Sequence, residues 1–178
     1  MLLEEFNTTD AAAAASVVGV WAAIPAWVDA VVAGRPYPSV DALADHAATL
    51  AADWTSDDLD AALAHHPRIG QRPSGAGAEA AASRREQAAM TDAAAGVTAA
   101  IAAGNADYEE RFGRVFLIRA AGRSPREILA ELERRRGNDD ETESGEALGQ
   151  LAEIALLRLR GSVTESPTNE VASGRITP

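Results

Sequence analysis

The strongest structural constraint in this sequence is the regular alternation of helix-starting and helix-ending residues. Ser124-Pro125-Arg126-Glu127 is the clearest start, because it combines an N-cap serine, a proline at the first helical position and a capping-box glutamate. Gly137 is suited to end that helix. Similar signals predict further helices over residues 10–19, 25–34, 39–52, 55–66, 79–94, 98–112 and 146–160. The pattern predicts an all-α bundle of about seven or eight helices.

Alanine determines how such helices would pack. The chain has 178 residues, of which 41 are alanine and only 4% are aromatic, and alanine is the best helix former but buries little apolar surface. We therefore expect close packing through small side chains. The length suits a single domain, predicted to span residues 1–161, and the composition of residues 162–178 predicts a disordered C-terminal tail. The one run with strand character, residues 115–118, has no partner strand.

An apolar stretch over residues 15–34 is about as long as a membrane span. Pro25 and Asp29 interrupt it, and no cationic residue flanks its N-terminal side. Two buried helices, broken near Gly19 and Pro25, explain the stretch better, so we expect no membrane partner. The acidic start of the chain lacks the cationic region of a signal peptide, which predicts a cytoplasmic protein.

Charge and residue usage exclude several classes of function. The 27 acidic and 16 basic residues give a net charge of −11, which repels nucleic acids. The absence of cysteine excludes a disulfide framework, a thiolate nucleophile and cysteine-ligated zinc. Every basic residue is arginine, so a side-chain cation in a functional site is expected to be a guanidinium.

Two groups of polar residues are candidates for chemistry. His66 is predicted to lie between a helix and a loop, because Pro67 disfavours helical backbone at the residue before it. A histidine there is either a capping or surface residue or an acid–base group. Ser83, Glu86 and Gln87 share one face of the next predicted helix, which is either a polar surface or an inward-facing site.

Arg158 is the candidate that helical geometry constrains most. At about 100° per residue, it lies near the centre of an apolar stripe that also contains Leu148, Leu151, Ile154, Ala155 and Leu159. A buried guanidinium is too costly to leave unpaired. The stripe therefore predicts one of two partners for Arg158, a buried carboxylate or a bound anion.

The chain resembles the 2-oxo-4-hydroxy-4-carboxy-5-ureidoimidazoline (OHCU) decarboxylases in several short segments that follow the family's order. These segments are HPRIG at 66–70, SRREQA at 83–88, NADYEERFG at 105–113 followed by FLI at 116–118, and EIALLRL at 153–159. The likeness runs from Phe6 to about Arg160 and leaves the last residues of the chain unmatched.

The resemblance implies an all-helical carboxy-lyase, without metal or other cofactor and usually homodimeric. Its reaction would convert OHCU, a small anion, to (S)-allantoin and CO2, the last step of the urate-to-allantoin pathway of purine degradation. The resemblance implies catalytic roles for His66, Glu86 and Arg158, and substrate-binding roles for Pro67, Ser83, Gln87 and the main chain of Phe116, Leu117 and Ile118. The alternative is a non-enzymatic helical protein-interaction module, which would not need a histidine, a glutamate and an arginine at one pocket.

Overall fold

Helices account for the regular secondary structure of the described chain. A computed structural model describes residues 1–64, 67–71, 77–88, 90 and 93–165. Within these ranges it contains nine α-helices: α1 Leu3–Thr8, α2 Ala11–Trp21, α3 Pro25–Ala33, α4 Val40–Ala51, α5 Ser56–Leu63, α6 Ala78–Glu86, α7 Ala95–Phe112, α8 Pro125–Arg135 and α9 Asp140–Ser162. The all-α prediction is confirmed, and α1 is an additional short helix.

Polar caps begin four of the helices where the sequence predicted them. Asp10 and Ser39 accept hydrogen bonds from main-chain N–H groups in the first turns of α2 and α4. Thr55 and Ser124 each form a capping box, at the start of α5 and of α8. These side chains satisfy N–H groups that have no partner inside the helix, so the local sequence is enough to fix the starts.

Two helices differ most in length from the prediction. α6 ends at Glu86 instead of residue 94, because its many alanines favour helical backbone but offer little apolar surface to hold a longer helix in place. α9 begins at Asp140 instead of residue 146. The acidic residues between the predicted helices, from 138 to 145, supply its first turns. Asp139 caps the Thr142 N–H at 2.8 Å, and the acidic residues lie at the positive end of the helix dipole.

The core consists of two apolar clusters on either side of one segment. The larger cluster joins α1 to α5 with α9, and the smaller joins α7 with α8. The segment 115–120 connects α7 to α8 without forming a strand. Its Leu117 side chain is buried in the larger cluster, whereas Phe116 and Ile118 are buried in the smaller one. Residues 116–118 are therefore fixed between the two parts of the core.

The end of the described chain packs against its beginning. The Leu3 N–H donates to the Thr164 carbonyl at 2.9 Å, the Thr164 N–H donates to the Met1 carbonyl at 3.1 Å, and Val163 is buried. Residues 162–165 are thus part of the packed domain, and the predicted disorder of residues 166–178 concerns a segment outside the described residues.

The apolar stretch at residues 15–34 folds as parts of α2 and α3, which are separated at residues 22–24. Among the described helices, none is both long and apolar enough to cross a membrane.

Candidate active site

Arg158 projects from α9 onto α6, where it forms a two-pronged ion pair with Glu86. Its Nε donates to Glu86 Oε1 at 2.7 Å and its Nη2 donates to Glu86 Oε2 at 2.9 Å. The side chains of Arg158 and Glu86 are only 7% and 14% exposed. Of the two partners that the apolar stripe left open, the structure contains the buried carboxylate. Two parallel charge-assisted bonds fix both the position and the plane of the guanidinium.

Two neutral groups complete the surroundings of Arg158. Its Nη2 donates to Ser83 Oγ at 3.3 Å, and its Nη1 donates to the Val20 carbonyl at the end of α2 at 3.0 Å. Ser83 is 1% exposed, so this face of α6 is directed inward and is not a polar surface. Four of the five N–H groups of the guanidinium have acceptors among the described residues, and one on Nη1 is left.

A cavity of about 400 Å³ opens beside this ion pair, where α2, α6 and α9 meet. Its walls include Glu86, Arg158, Trp21, Ser162 and Ala121, which follows the segment 115–120. The Trp21 indole donates to Ser162 Oγ at 2.8 Å. The volume lies at the low end of the range for small-molecule sites. One wall is charged and polar and the rest is largely apolar, which suits a small polar ligand.

Gln87 lies at the C-terminal end of α6 and turns to a different partner. Its Oε1 accepts a hydrogen bond from the Gly70 N–H at 3.0 Å, and the φ of Gly70 is +82°, a conformation that favours glycine. Pro67, at the start of the same segment, is partly buried. His66 lies outside the described residues, so its predicted catalytic role stays a prediction.

Two further contacts hold residues 67–71 against α7. Arg68 makes a two-pronged ion pair with Glu109, with distances of 2.6 and 2.7 Å. The buried Asn105 donates its Nδ2 to the Ile69 carbonyl at 3.0 Å. Together with the contact from Gln87, these bonds fix the segment that follows His66 at three points.

The predicted main-chain contacts at residues 116–118 fall on a buried segment with few internal hydrogen bonds. Phe116, Leu117 and Ile118 are all buried. Within the described ranges, the main-chain hydrogen bond of this segment is the one that Arg135 Nη1 donates to the Leu117 carbonyl at 2.8 Å. Buried main-chain groups are almost always paired. The remaining N–H and C=O groups of residues 116–118 have no hydrogen-bond partner among the described residues.

Arg135, which donates to the Leu117 carbonyl, is a buried charged residue that the sequence interpretation missed. The run Arg134-Arg135-Arg136 fits the negative end of α8, but Arg135 and its partner Glu143 are each only 1% exposed. Arg135 Nε donates to Glu143 Oε1 at 3.0 Å, and the Tyr108 hydroxyl donates to the same carboxylate oxygen at 2.5 Å. Burial, with the carboxylate as a second cause, raises the pKa of Tyr108 well above its usual range.

The signal that could have revealed Arg135 was present in the sequence. Ile128, Leu132 and Arg135 are spaced i, i+4, i+7, so they share one face of α8, and all three are buried. This is the same reasoning that singled out Arg158. Glu143 could not be found in this way, because it precedes the helix that was predicted over residues 146–160.

In the part of the chain that the structure describes, no group of three or more histidine, aspartate or glutamate side chains is arranged to hold a metal ion. The wall of the cavity supplies a guanidinium from Arg158, a carboxylate from Glu86 and a hydroxyl from Ser162.

Comparison with known families identifies the chain. The family model for OHCU decarboxylase matches residues 7–160. The chain belongs to the OHCU decarboxylase family. This match covers α2 to α8 and most of α9, and it includes every residue that the sequence predicted for the site.

Individual relatives agree with this assignment. A protein of Amia calva named 2-oxo-4-hydroxy-4-carboxy-5-ureidoimidazoline decarboxylase is 39% identical over 97 residues, which are 53% of this chain and 55% of that protein. The match thus spans about half the length of this relative.

Solved structures share the fold. A crystal structure of an OHCU decarboxylase in the presence of (S)-allantoin has a TM-score of 0.68 at 22% identity, over 80% of this chain and 94% of that one. A crystal structure of an (S)-allantoin synthase has a TM-score of 0.67 at 18% identity, over 92% of this chain and 54% of that one.

Proposed function

We propose that this chain decarboxylates OHCU, releasing CO2 and forming (S)-allantoin as the last step from urate to allantoin. Within the family assignment, the observation that carries the proposal is the meeting of Glu86 and Arg158 in the wall of one small cavity, with Ser83 bonded to the same guanidinium. The resemblance had given a role to each of these residues separately. A protein-interaction module would not need this convergence around one guanidinium.

The reaction suits a site made of these groups. OHCU carries a carboxylate and a hydroxyl on the same ring carbon. When the bond between that carbon and the carboxylate breaks, CO2 leaves and the electron pair passes into the ring, where it is delocalised. One proton must then return to a ring carbon from a single face to give one enantiomer. The protein therefore has to orient the carboxylate, stabilise the developing charge and direct one proton.

Arg158 supplies the positive charge for this anion, with Glu86 holding it in position. Because both prongs of the guanidinium are used by Glu86, the contact available to the substrate is the N–H left on Nη1. Each oxygen of Glu86 accepts one bond from Arg158 and keeps a further lone pair. That carboxylate is suited to accept an N–H of the ureido group, and the Ser83 hydroxyl is suited to a polar atom of the ring.

His66 is the proposed acid–base residue. The resemblance assigns it this role, and its ordinary pKa near neutrality suits proton transfer with the 4-hydroxyl or with a water molecule. The segment that directly follows it in the sequence, residues 67–71, is held by three contacts. General acid–base catalysis typically accelerates a reaction by about 10²- to 10⁴-fold.

The direct test supplies freshly made OHCU from urate, urate oxidase and hydroxyisourate hydrolase, and follows the circular dichroism of (S)-allantoin. We expect the signal to grow faster with this chain than without it. The His66→Asn variant is expected to lose turnover while its far-ultraviolet spectrum and unfolding midpoint stay unchanged. If the wild-type chain does not accelerate the signal, the decarboxylase proposal fails, and near wild-type activity of His66→Asn would remove that residue from the mechanism.

The proposal includes a homodimer and a cytoplasmic location. The resemblance supports the homodimer. Analytical ultracentrifugation at micromolar concentration should give twice the chain mass of 18.5 kDa. Fractionation of the source cells should recover the chain with soluble enzymes, and recovery with membranes would contradict this location.

A further inference from the structure

Two side chains fix the orientation of consecutive peptide groups on either side of Ile118. Arg135 Nη1 donates to the Leu117 carbonyl at 2.8 Å, which belongs to the peptide group that also contains the Ile118 N–H. The Arg119 N–H donates to Gln150 Oε1 at 3.0 Å, and it belongs to the peptide group that also contains the Ile118 carbonyl. Arg135 lies on α8 and Gln150 on α9.

Together with peptide geometry, these two hydrogen bonds fix the direction in which the Ile118 N–H and C=O point. Among the described residues the cis peptide bond is Arg35–Pro36, so both peptide groups at Ile118 are trans. In a trans peptide group the C=O and the N–H lie in one plane and point in opposite directions. The Ile118 N–H is therefore directed away from Arg135, and the Ile118 carbonyl is directed away from Gln150.

Both of these Ile118 groups lack a hydrogen-bond partner among the described residues, although Ile118 is buried. A residue with an open N–H and an open C=O presents one donor next to one acceptor. This pair is complementary to a ring edge that carries a C=O beside an N–H. The rings of OHCU and of allantoin both have such an edge, whereas a carboxylate or a hydroxyl does not match it.

We propose that Arg135 and Gln150 are positioning residues that aim the N–H and C=O of Ile118 at the C=O and N–H edge of the substrate ring. The proposal rests on the decarboxylase function and on the main-chain contacts that the family resemblance implies, and it adds the two side chains that hold this main chain in place. Neither side chain needs to touch the substrate. Each acts through a main-chain group that it holds in one orientation.

The surroundings of both residues support this role. Arg135 is locked by Glu143, whose other oxygen accepts a bond from Asn138 Nδ2 at 2.9 Å. A buried ion pair stabilises a fold less than apolar packing does. Stability alone therefore does not explain the Arg135–Glu143 pair, which also holds the Leu117 carbonyl. Gln150 is held by a second contact, from Arg123 Nη1 at 3.3 Å.

The sharpest test changes Gln150, which is only partly buried. Gln150→Met keeps the size of the side chain but removes the acceptor, whereas Gln150→Glu keeps an acceptor next to Arg119 and Arg123. The matched control is Glu153→Met, which removes the bond to the Arg119 side chain at 2.8 Å and leaves the Arg119 N–H alone. The measurements are kcat, KM and the dissociation constant of (S)-allantoin by calorimetry.

For Gln150→Met we expect KM and the allantoin dissociation constant to rise together by about 3- to 10-fold, the equivalent of one neutral hydrogen bond. Gln150→Glu and Glu153→Met should stay within about twofold of wild type, because neither removes an acceptor from the Arg119 N–H. The relative binding of allantoin and a methylated analogue distinguishes a positioning role from a general loosening of the site. The analogue methylated on the ring nitrogen between the two carbonyls should bind the wild type more weakly than allantoin does, and Gln150→Met should reduce this discrimination.

The second variant tests Arg135 without leaving a buried charge. Arg135→Met alone strands Glu143, but the double variant Arg135→Met with Glu143→Met removes both charges. If it folds, it should show the same paired rise in KM and in the allantoin dissociation constant. An active wild type with unchanged values in Gln150→Met overturns the positioning role and leaves the decarboxylase function intact. A wild type that neither turns over OHCU nor binds allantoin overturns both.

Discussion

Replacing Arg158 by lysine tests whether the planar guanidinium is needed or only its charge. The guanidinium makes four hydrogen bonds, two to Glu86 and one each to Ser83 and the Val20 carbonyl. An ammonium has three N–H groups around one atom and cannot reach all these acceptors at once. Lysine should keep a contact with Glu86 and lose the others.

The magnitude follows from these contacts. A hydrogen bond to a charged group contributes about 1.5–3 kcal/mol, and lysine keeps the ion pair, so we expect the free energy of unfolding to fall by about 2 kcal/mol. The N–H left on Nη1, proposed to contact the substrate, is also lost. A contact of that strength corresponds to a fall in kcat/KM of about 10- to 100-fold.

The assays are urea denaturation for stability and the circular-dichroism assay with fresh OHCU for kcat/KM. Arg160→Lys is the matched control, because Arg160 lies two residues along the same helix and pairs with Asp41 at the surface. It should change neither quantity. A normal kcat/KM in Arg158→Lys, together with reduced stability, would refute the catalytic reasoning and leave Arg158 as a structural ion pair.

Three further results are expected. Gly104→Ala should destabilise the chain by about 1–2 kcal/mol in urea denaturation, because the new Cβ would lie 2.7 Å from Leu132 Cδ2. Gly149→Ala, which meets nothing within 4 Å, should instead stabilise it by up to about 1 kcal/mol, and equal effects of the two would contradict the packing of α7 on α8. Hydrogen bonds from Arg134 and then Asn138 lower the pKa of Glu146 from 4.5 to about 2. A lowered folded-state pKa stabilises the fold at pH above the unfolded value, and this contribution, about 1 kcal/mol after solvent screening, is lost as the pH falls through about 2. The Glu146→Gln variant should therefore lose less stability on acidification than the wild type, and an identical acid titration would contradict the shift. Finally, treatment with a chelator should leave decarboxylation unchanged, and loss of activity restored by a divalent ion would contradict a cofactor-independent reaction.

Local patterns in the sequence were enough for the capped starts of α2, α4, α5 and α8 and for the inward direction of Arg158. Capping involves residues three positions apart, so Asp10, Ser39, Thr55 and Ser124 could be interpreted without knowledge of the fold. The apolar stripe of α9 likewise depends only on helical periodicity. Helix ends were harder, since α6 stops at Glu86 for lack of apolar surface and not because of a local stop signal.

The sequence by itself therefore determined an all-α chain with an inward-facing arginine that required an anionic partner. Only the tertiary structure decided which partner it has, because Glu86 is 72 residues away and pairing across that distance depends on how α6 docks on α9. The same holds for Ile118. Its open N–H and C=O belong to an ordinary apolar run, and their direction is set by Arg135 and Gln150 from two other helices. Periodicity identifies which side chains face inward, but contacts between distant segments fix what those side chains hold and where the main chain points.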